Sequence, residues 1–430
     1  MSGIATALLA LTLFVAAAPL TAEQDHQRVL DQLHITALRP GVDGNNPNAP
    51  NAANYDEGKA NPSPELPDPL KLKDGTRVDT TDKWWQQRRQ EIADDYESEV
   101  YGHLPNNIPP VAWVVQDSAN ETLGRVLATT RHVVGHVAGP GGAAVDIRLT
   151  ITLPAKAKGP VPVILQLAPD AAFAARFPST WRAQVLARGW GAAVLDVTSV
   201  QPDNGGGLAG GIIGLVAAGK PRGLTDWGAL RAWAWGASRA MDYFETDPTI
   251  VSDRVGIMGH SRYGKAALVA MAYDPRYVVA FISSSGAGGA GLLRRNYGER
   301  IENLAASGEY HWFDEQFLTY SGPKTAADLP VDAHELIALC APRPVFIGVG
   351  SKGDGWVDAR GMFMAEVAAG PVYKFLGAND LGTTVMPPID KALTGGALGF
   401  RQHEQGHTPE PNWPAFIAFA RRTLNAPRKR

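Results

Sequence analysis

From residue 161 onward, short apolar runs alternate with longer stretches of helical periodicity, and that alternation constrains the fold more than any other feature of the chain. The runs 161–167, 191–197, 254–258, 278–283, 344–349 and 372–376 read as strands. Thr180 to Arg188, Trp227 to Phe244 and Arg360 to Ala369 read as helices between them. Strands that are apolar along their whole length must be covered on both faces, and helices placed between them supply the cover. The expected fold class is therefore α/β, a mainly parallel sheet with helices on both faces in a three-layer sandwich. Two β-rich stretches, Arg125 to His136 and Ala144 to Leu153, come before it, and Thr81 to Val100 reads as an amphipathic helix capped by Thr81 or Asp82, with Trp84 and Trp85 in the core.

The length of 430 residues, with 45% hydrophobic residues, permits one large core. We divide the chain into a segment 1–22 that reads as an export signal, a lead-in 23–65 that is extended or disordered, and a single domain 66–430. Ile4 to Pro19 is apolar but short for a bilayer span, and Leu20-Thr21-Ala22 precedes the polar Glu23-Gln24-Asp25, as in a secretory signal. The product is then secreted or periplasmic, without stable membrane insertion. Gly41 to Pro67 is rich in Asn, Pro, Ala and Gly and lacks apolar periodicity. A net charge of −3, with no basic block outside Arg428-Lys429-Arg430, argues against nucleic acid as a partner. Cys340 is the only cysteine, which excludes an intrachain disulfide, and Leu339-Cys340-Ala341 reads as core. Gly205-Gly206-Gly207-Leu208-Ala209-Gly210 satisfies a dinucleotide fingerprint formally, but Ser199 to Asn204 separate it from the preceding strand. It reads as a mobile surface loop.

Chemistry enters at Val255-Gly256-Ile257-Met258-Gly259-His260-Ser261-Arg262-Tyr263-Gly264-Lys265, an apolar run, a Gly-flanked serine and a small-residue helix. A serine on a strand-to-helix turn is aimed by the backbone and needs a neighbouring base to remove its proton. The usual spacing is broken, since Tyr263 stands where a second glycine is expected and Gly264 follows it. If Ser261 is a nucleophile, an acid and then a histidine should follow on loops after later strands. His407, in a Gly- and Pro-marked loop from Phe400 to Pro409 before a last helix Trp413 to Leu424, is the base, and Asp354, just after 344–349, is the favoured acid over Asp358 and Asp380. A rival of a different class lies in His403-Glu404-Gln405-Gly406-His407, which matches the zinc metalloprotease pattern on a helix. Gly406 and Thr408-Pro409 oppose that helix.

Ser261-Arg262-Tyr263-Gly264-Lys265 also resembles the elbow of the glucuronoyl esterases, carbohydrate esterase family fifteen, which runs Gly-x-Ser-Arg-x-Gly-Lys. The resemblance spans roughly Leu66 to the C-terminus. It includes Tyr101-Gly102-His103-Leu104-Pro105, the Ser283-to-Ala290 turn, Asn296-Tyr297-Gly298-Glu299, Trp312-Phe313, Asp354-Gly355-Trp356 and Gly406-His407. It implies an α/β-hydrolase fold and cleavage of the ester between 4-O-methyl-glucuronic acid of glucuronoxylan and lignin alcohols. Ser261 and His407 carry over directly. Fungal members place a glutamate where this chain has Ser284, whereas bacterial-type relatives use an aspartate after a later strand, here Asp354. The same resemblance gives Arg262 a part in stabilising the oxyanion, Lys265 and Glu299 contacts to sugar hydroxyls, Trp356 a place in the sugar pocket and Glu309 a further sugar contact. A surface salt-bridge set remains the alternative for Arg262, Lys265 and Glu299, and a packed loop anchor for Trp356. An acetyl-xylan or general carboxylic ester hydrolase is the alternative activity. No cofactor is expected, and a monomer suffices.

Overall fold

The computed structural model describes residues 20–169 and 179–426. Among the described residues, nine strands form one sheet in the order β1-β2-β3-β5-β4-β6-β7-β8-β9. They are β1 (Ala112–Leu123), β2 (Val126–Ala138), β3 (Ala144–Pro154), β4 (Val161–Ala168), β5 (Gly191–Asp196), β6 (Ile250–His260), β7 (Tyr277–Ser283), β8 (Val345–Gly350) and β9 (Leu398–His403). The first three strands and β5 pair antiparallel in sequence order, and β5, β4, β6, β7, β8 and β9 are parallel neighbours. The helices that matter here are α1 (Ala22–Gln32), α2 (Arg89–Glu99), α3 (Trp181–Leu186), α4 (Ala229–Thr246), α5 (Arg262–Tyr273), α6 (Ala333–Leu339), α7 (Ala359–Phe375) and α8 (Trp413–Leu424).

The helices divide between the two faces as the apolar strands demand. On one face Trp181 of α3 and Trp413, Phe416 and Phe419 of α8 pack on Met258, Phe281 and Phe346 of the sheet. Trp181 and Trp413 stack with ring centres 5.0 Å apart, and burying each such side chain contributes about 2–3 kcal/mol. The other face carries α4, α5, α6 and α7 in a larger core. This is the three-layer α/β-hydrolase arrangement expected. The chain leaves β4 toward β5 and returns on the other side of β4 as β6, so the strand order reverses between β4 and β6, where open α/β sheets bind ligands at the carboxyl ends of their strands.

Several expectations require correction. Residues 372–376 are not a strand, because α7 continues through Pro371 to Phe375 with Val372 and Tyr373 fully buried. Burial of that face outweighs the backbone hydrogen bond that Pro371 cannot donate. The last parallel strand is β9, which overlaps the first residues of the stretch 400–409 read as a loop, and the polar edge strand β1 has no counterpart among the expected strands. The lead-in 23–65 is not wholly extended. Thr21 and Gln24 form a capping box that starts α1, and Val29 and Leu30 are buried against the body. The helix at 81–99 is capped by Thr80 and contains a π turn, which buries Trp84 but leaves Trp85 exposed. The glycine-rich 205–209 segment is a 3₁₀ turn capped by Asn204 with Leu208 buried, rather than a mobile surface loop. Cys340 lies in the core, as read. The expected export signal falls outside the described residues for 1–19, as does the basic C-terminus from 427.

Candidate active site

Ser261 joins β6 to α5 with φ 59° and ψ −132°, a strained conformation for a residue with a side chain. It is held there by its own N–H, which donates to the Ser283 carbonyl at 2.8 Å, and by its carbonyl, which accepts from the Gly264 N–H at 2.8 Å. The displaced glycine is explained by this turn. A Cβ on Gly264 would lie 3.0 Å from the carbonyl oxygens of Gly259 and Ser283, and one on Gly259 only 2.0 Å from that of Tyr263. Where the usual spacing asks for glycine, Tyr263 packs against the core with its ring 5.6 Å from that of Trp233.

The next three strands along the sheet carry the rest. Ser284 follows β7, Asp354 follows β8 and His407 follows β9. His407 donates through Nδ1 to Asp354 Oδ1 at 2.6 Å. The other oxygen of Asp354 accepts from Ser284 Oγ at 2.7 Å and from the Gly350 N–H at 2.8 Å. Burial works against the Asp354 charge, but the bonds from His407, Ser284 and Gly350 outweigh it and hold the carboxyl below its ordinary value. The His407 ring also packs against His260, the residue before Ser261, with ring centres 4.3 Å apart. Burial, aided by His407, lowers His260 to about 3, so its ring is neutral, and its Nδ1 lies 3.0 Å from Ser283 Oγ.

The rival acids are engaged elsewhere. Asp358 caps α7 through the Gly361 N–H and pairs with buried Arg295, while Asp380 pairs with Lys374 at 2.8 Å. The zinc reading of His403 and His407 fails on conformation. His403 ends β9 instead of lying on a helix, its Nε2 is 2.9 Å from the Thr408 carbonyl and its Nδ1 accepts the Gln405 N–H. Both ring nitrogens are occupied by backbone.

Beside the elbow, Lys265 on the first turns of α5 is buried and donates to Glu299 Oε2 at 2.8 Å and to the Ala287 carbonyl. Trp356 Nε1 donates to Glu299 Oε1 at 3.2 Å. The three therefore form one connected group and not a surface salt-bridge set. Arg262 lies next to them, with its guanidinium 4.9 Å above the Trp312 ring and bonded to Asp203 at 2.9 Å. Glu309 has a buried Oε2 without a hydrogen-bond partner among the described residues, and burial together with nearby Glu299 raises it to about 7.

Residues 222–377 match the family model for fungal glucuronyl esterases. The chain is similar to a glucuronoyl esterase of carbohydrate esterase family 15 from Teredinibacter turnerae, at 43% identity and a TM-score of 0.89 over 94% of this chain and 99% of that one. It is 34% identical to carbohydrate esterase MZ0003 from an unknown prokaryotic organism, over 86% of this chain and 92% of that protein. The chain belongs to carbohydrate esterase family 15. A shorter likeness, 36% identity over 36% of this chain and 34% of the relative, connects this family 15 member to the 4-O-methyl-glucuronoyl methylesterase of Hypocrea jecorina. Like other glucuronoyl esterases, it is a carboxylic ester hydrolase.

Within this family 15 site, reading the sequence missed four residues. Ser284 was noticed for the glutamate it replaces, not for its bond to Asp354. Asp203 and His311 carry no signal in the sequence, because each meets its partner across a long stretch of chain. For His260, whose ring packs on His407, the one clue is its place beside Ser261.

Proposed function

We propose that this glucuronoyl esterase cleaves the ester between 4-O-methyl-glucuronic acid of glucuronoxylan and an alcohol of lignin through an acyl-enzyme on Ser261. The observation that carries the reading is the His407–Asp354 pair, at 2.6 Å, on strand ends adjoining the strained serine turn. His407 takes the Ser261 proton as Oγ attacks the ester carbon, and then gives it to the leaving alkoxide. Water, deprotonated by the same imidazole, releases the uronic acid and restores Ser261. Asp354 keeps the proton on Nδ1, which leaves Nε2 as the base, and stabilises the imidazolium. The negative oxygen of the tetrahedral intermediate faces the N-terminus of α5, where N–H groups have no carbonyl partner within the helix, and the Arg262 guanidinium adds charge stabilisation.

Lys265 and Glu299 present a donor and an acceptor to the sugar hydroxyls, with Trp356 as the apolar wall and Glu309 as a further contact. The name of the Hypocrea jecorina relative supports a methylated uronate as the acyl part. Residues 1–22 act as an export signal, which supports a secreted or periplasmic enzyme. Among the described residues no helix is long and apolar enough to cross a membrane. All the groups named come from one chain, so a monomer is sufficient. The test is hydrolysis of benzyl and methyl glucuronate by wild type and Ser261→Ala. Turnover should vanish in the variant, and undiminished turnover would remove the mechanism. A preference for acetyl over glucuronate esters would remove the roles given to Lys265 and Glu299.

A further inference from the structure

Arg262 has a half-exposed side chain, and a long flexible cation at a surface does not hold one direction unaided. Here it is constrained along two axes. Its Nη1 donates to Asp203 Oδ2 at 2.9 Å, and the plane of Trp312 lies beneath the guanidinium at 4.9 Å. Asp203 stands in the loop between the short helix Val197–Val200 and the 3₁₀ turn Gly205–Ala209, well away from Arg262 in sequence. It is itself fixed, because its Oδ1 accepts from Trp312 Nε1 at 2.7 Å and lies 3.1 Å from Nε2 of the buried His311. One carboxylate thus ties the cation to the ring it rests on. The bond takes one of the five guanidinium N–H groups.

We propose that Asp203 is a positioning residue which, braced by His311 and Trp312, orients the Arg262 guanidinium toward the oxyanion. The inference rests on the role given to Arg262 in the proposed function. Developing charge is stabilised best by donors already aimed when the reaction begins, and a misplaced group loses that advantage without altering how the substrate sits in the ground state. The effect of losing Asp203 should therefore fall on kcat more than on KM.

The experiment is a double-mutant cycle on benzyl glucuronate with Asp203→Asn, Arg262→Gln and the pair, reading kcat and KM, with thermal melting as the check on folding. Asp203→Asn keeps the shape and is expected to lower kcat about tenfold with KM within about twofold of wild type. In the Arg262→Gln background it should add nothing. If Arg262→Gln lowers kcat and Asp203→Asn does not, or if the two losses multiply, the positioning role is overturned while the oxyanion role stands. If Arg262→Gln leaves kcat unchanged, the oxyanion role fails and the inference with it. Should Asp203→Asn not fold, Trp312→Phe removes a donor to the same carboxylate and keeps a ring. A fall in kcat that disappears in the Arg262→Gln background supports the role, and a fall that persists there overturns it.

Discussion

Asp354 meets His407 with one oxygen and Ser284 and Gly350 with the other, so its direction is set from both sides. Asp354→Asn keeps the shape but reverses the donor and acceptor pattern at Nδ1, and kcat should fall by about 10⁴-fold. Ser284→Ala removes one bond to a charged acceptor and leaves the pair intact, so a fall of about tenfold in kcat is expected, with KM little changed. Steady-state kinetics on benzyl glucuronate checks both. A Ser284→Ala enzyme as slow as Asp354→Asn would mean that the hydroxyl does more than orient its neighbour. That Ser261, Asp354 and His407 come together on neighbouring strand ends was legible from their types and their order along the chain. Ser284 and Asp203 were not, since a hydroxyl or carboxylate that acts on another side chain has no spacing rule to reveal it.

At the scale of elements the serine turn depends on glycine at two places for different reasons. Gly259 faces the carbonyl of Tyr263 at a distance no Cβ tolerates, whereas Gly264 is merely tight against two carbonyls. Gly259→Ala should abolish turnover and lower the melting temperature, while Gly264→Ala should retain measurable hydrolysis. Melting curves and activity of the two purified variants decide it, and an order reversed from this would contradict the turn geometry. Among helices, α8 was found at its observed limits because its aromatic face repeats at helical spacing. The errors at 372–376 and over β1 share a cause. Pro371 signals a stop that tertiary burial overrides, and β1 is exposed along most of both faces, leaving no apolar alternation to read.

For the whole molecule, the layered α/β order was readable because strands apolar along their length leave few architectures open. The capture of the lead-in was not, because its contacts are made with loops far along the chain. Arg28 of α1 pairs with the buried Glu315, and Asn303 holds the backbone of Val42. Charge distribution also gives the folded protein a definite response to acid. Asp203 is largely but not fully buried, which works against its charge, yet its bonds to His311 and Trp312 and the nearby Arg262 hold it at about 2. The unfolded chain binds a proton at that position from about 3.8 downward, so stability present above that pH is lost as pH falls toward 2, by about 2 kcal/mol from this group. Asp354, also lowered, adds in the same direction. Melting temperature followed from pH 5 to pH 2 should decline steeply, and Asp203→Asn should flatten the decline. A variant that kept the wild-type slope would exclude Asp203 as a source of it.

The loop bearing His407 hangs from β9, an edge strand that among the described residues pairs with one strand, β8, and on its other side meets just the segment 390–393. A rim of this kind opens more readily than the interior strands that hold the serine and the carboxylate. Denaturant should therefore silence ester hydrolysis at a lower urea concentration than it unwinds the helices, with catalysis serving as a gauge of whether the last strand is docked.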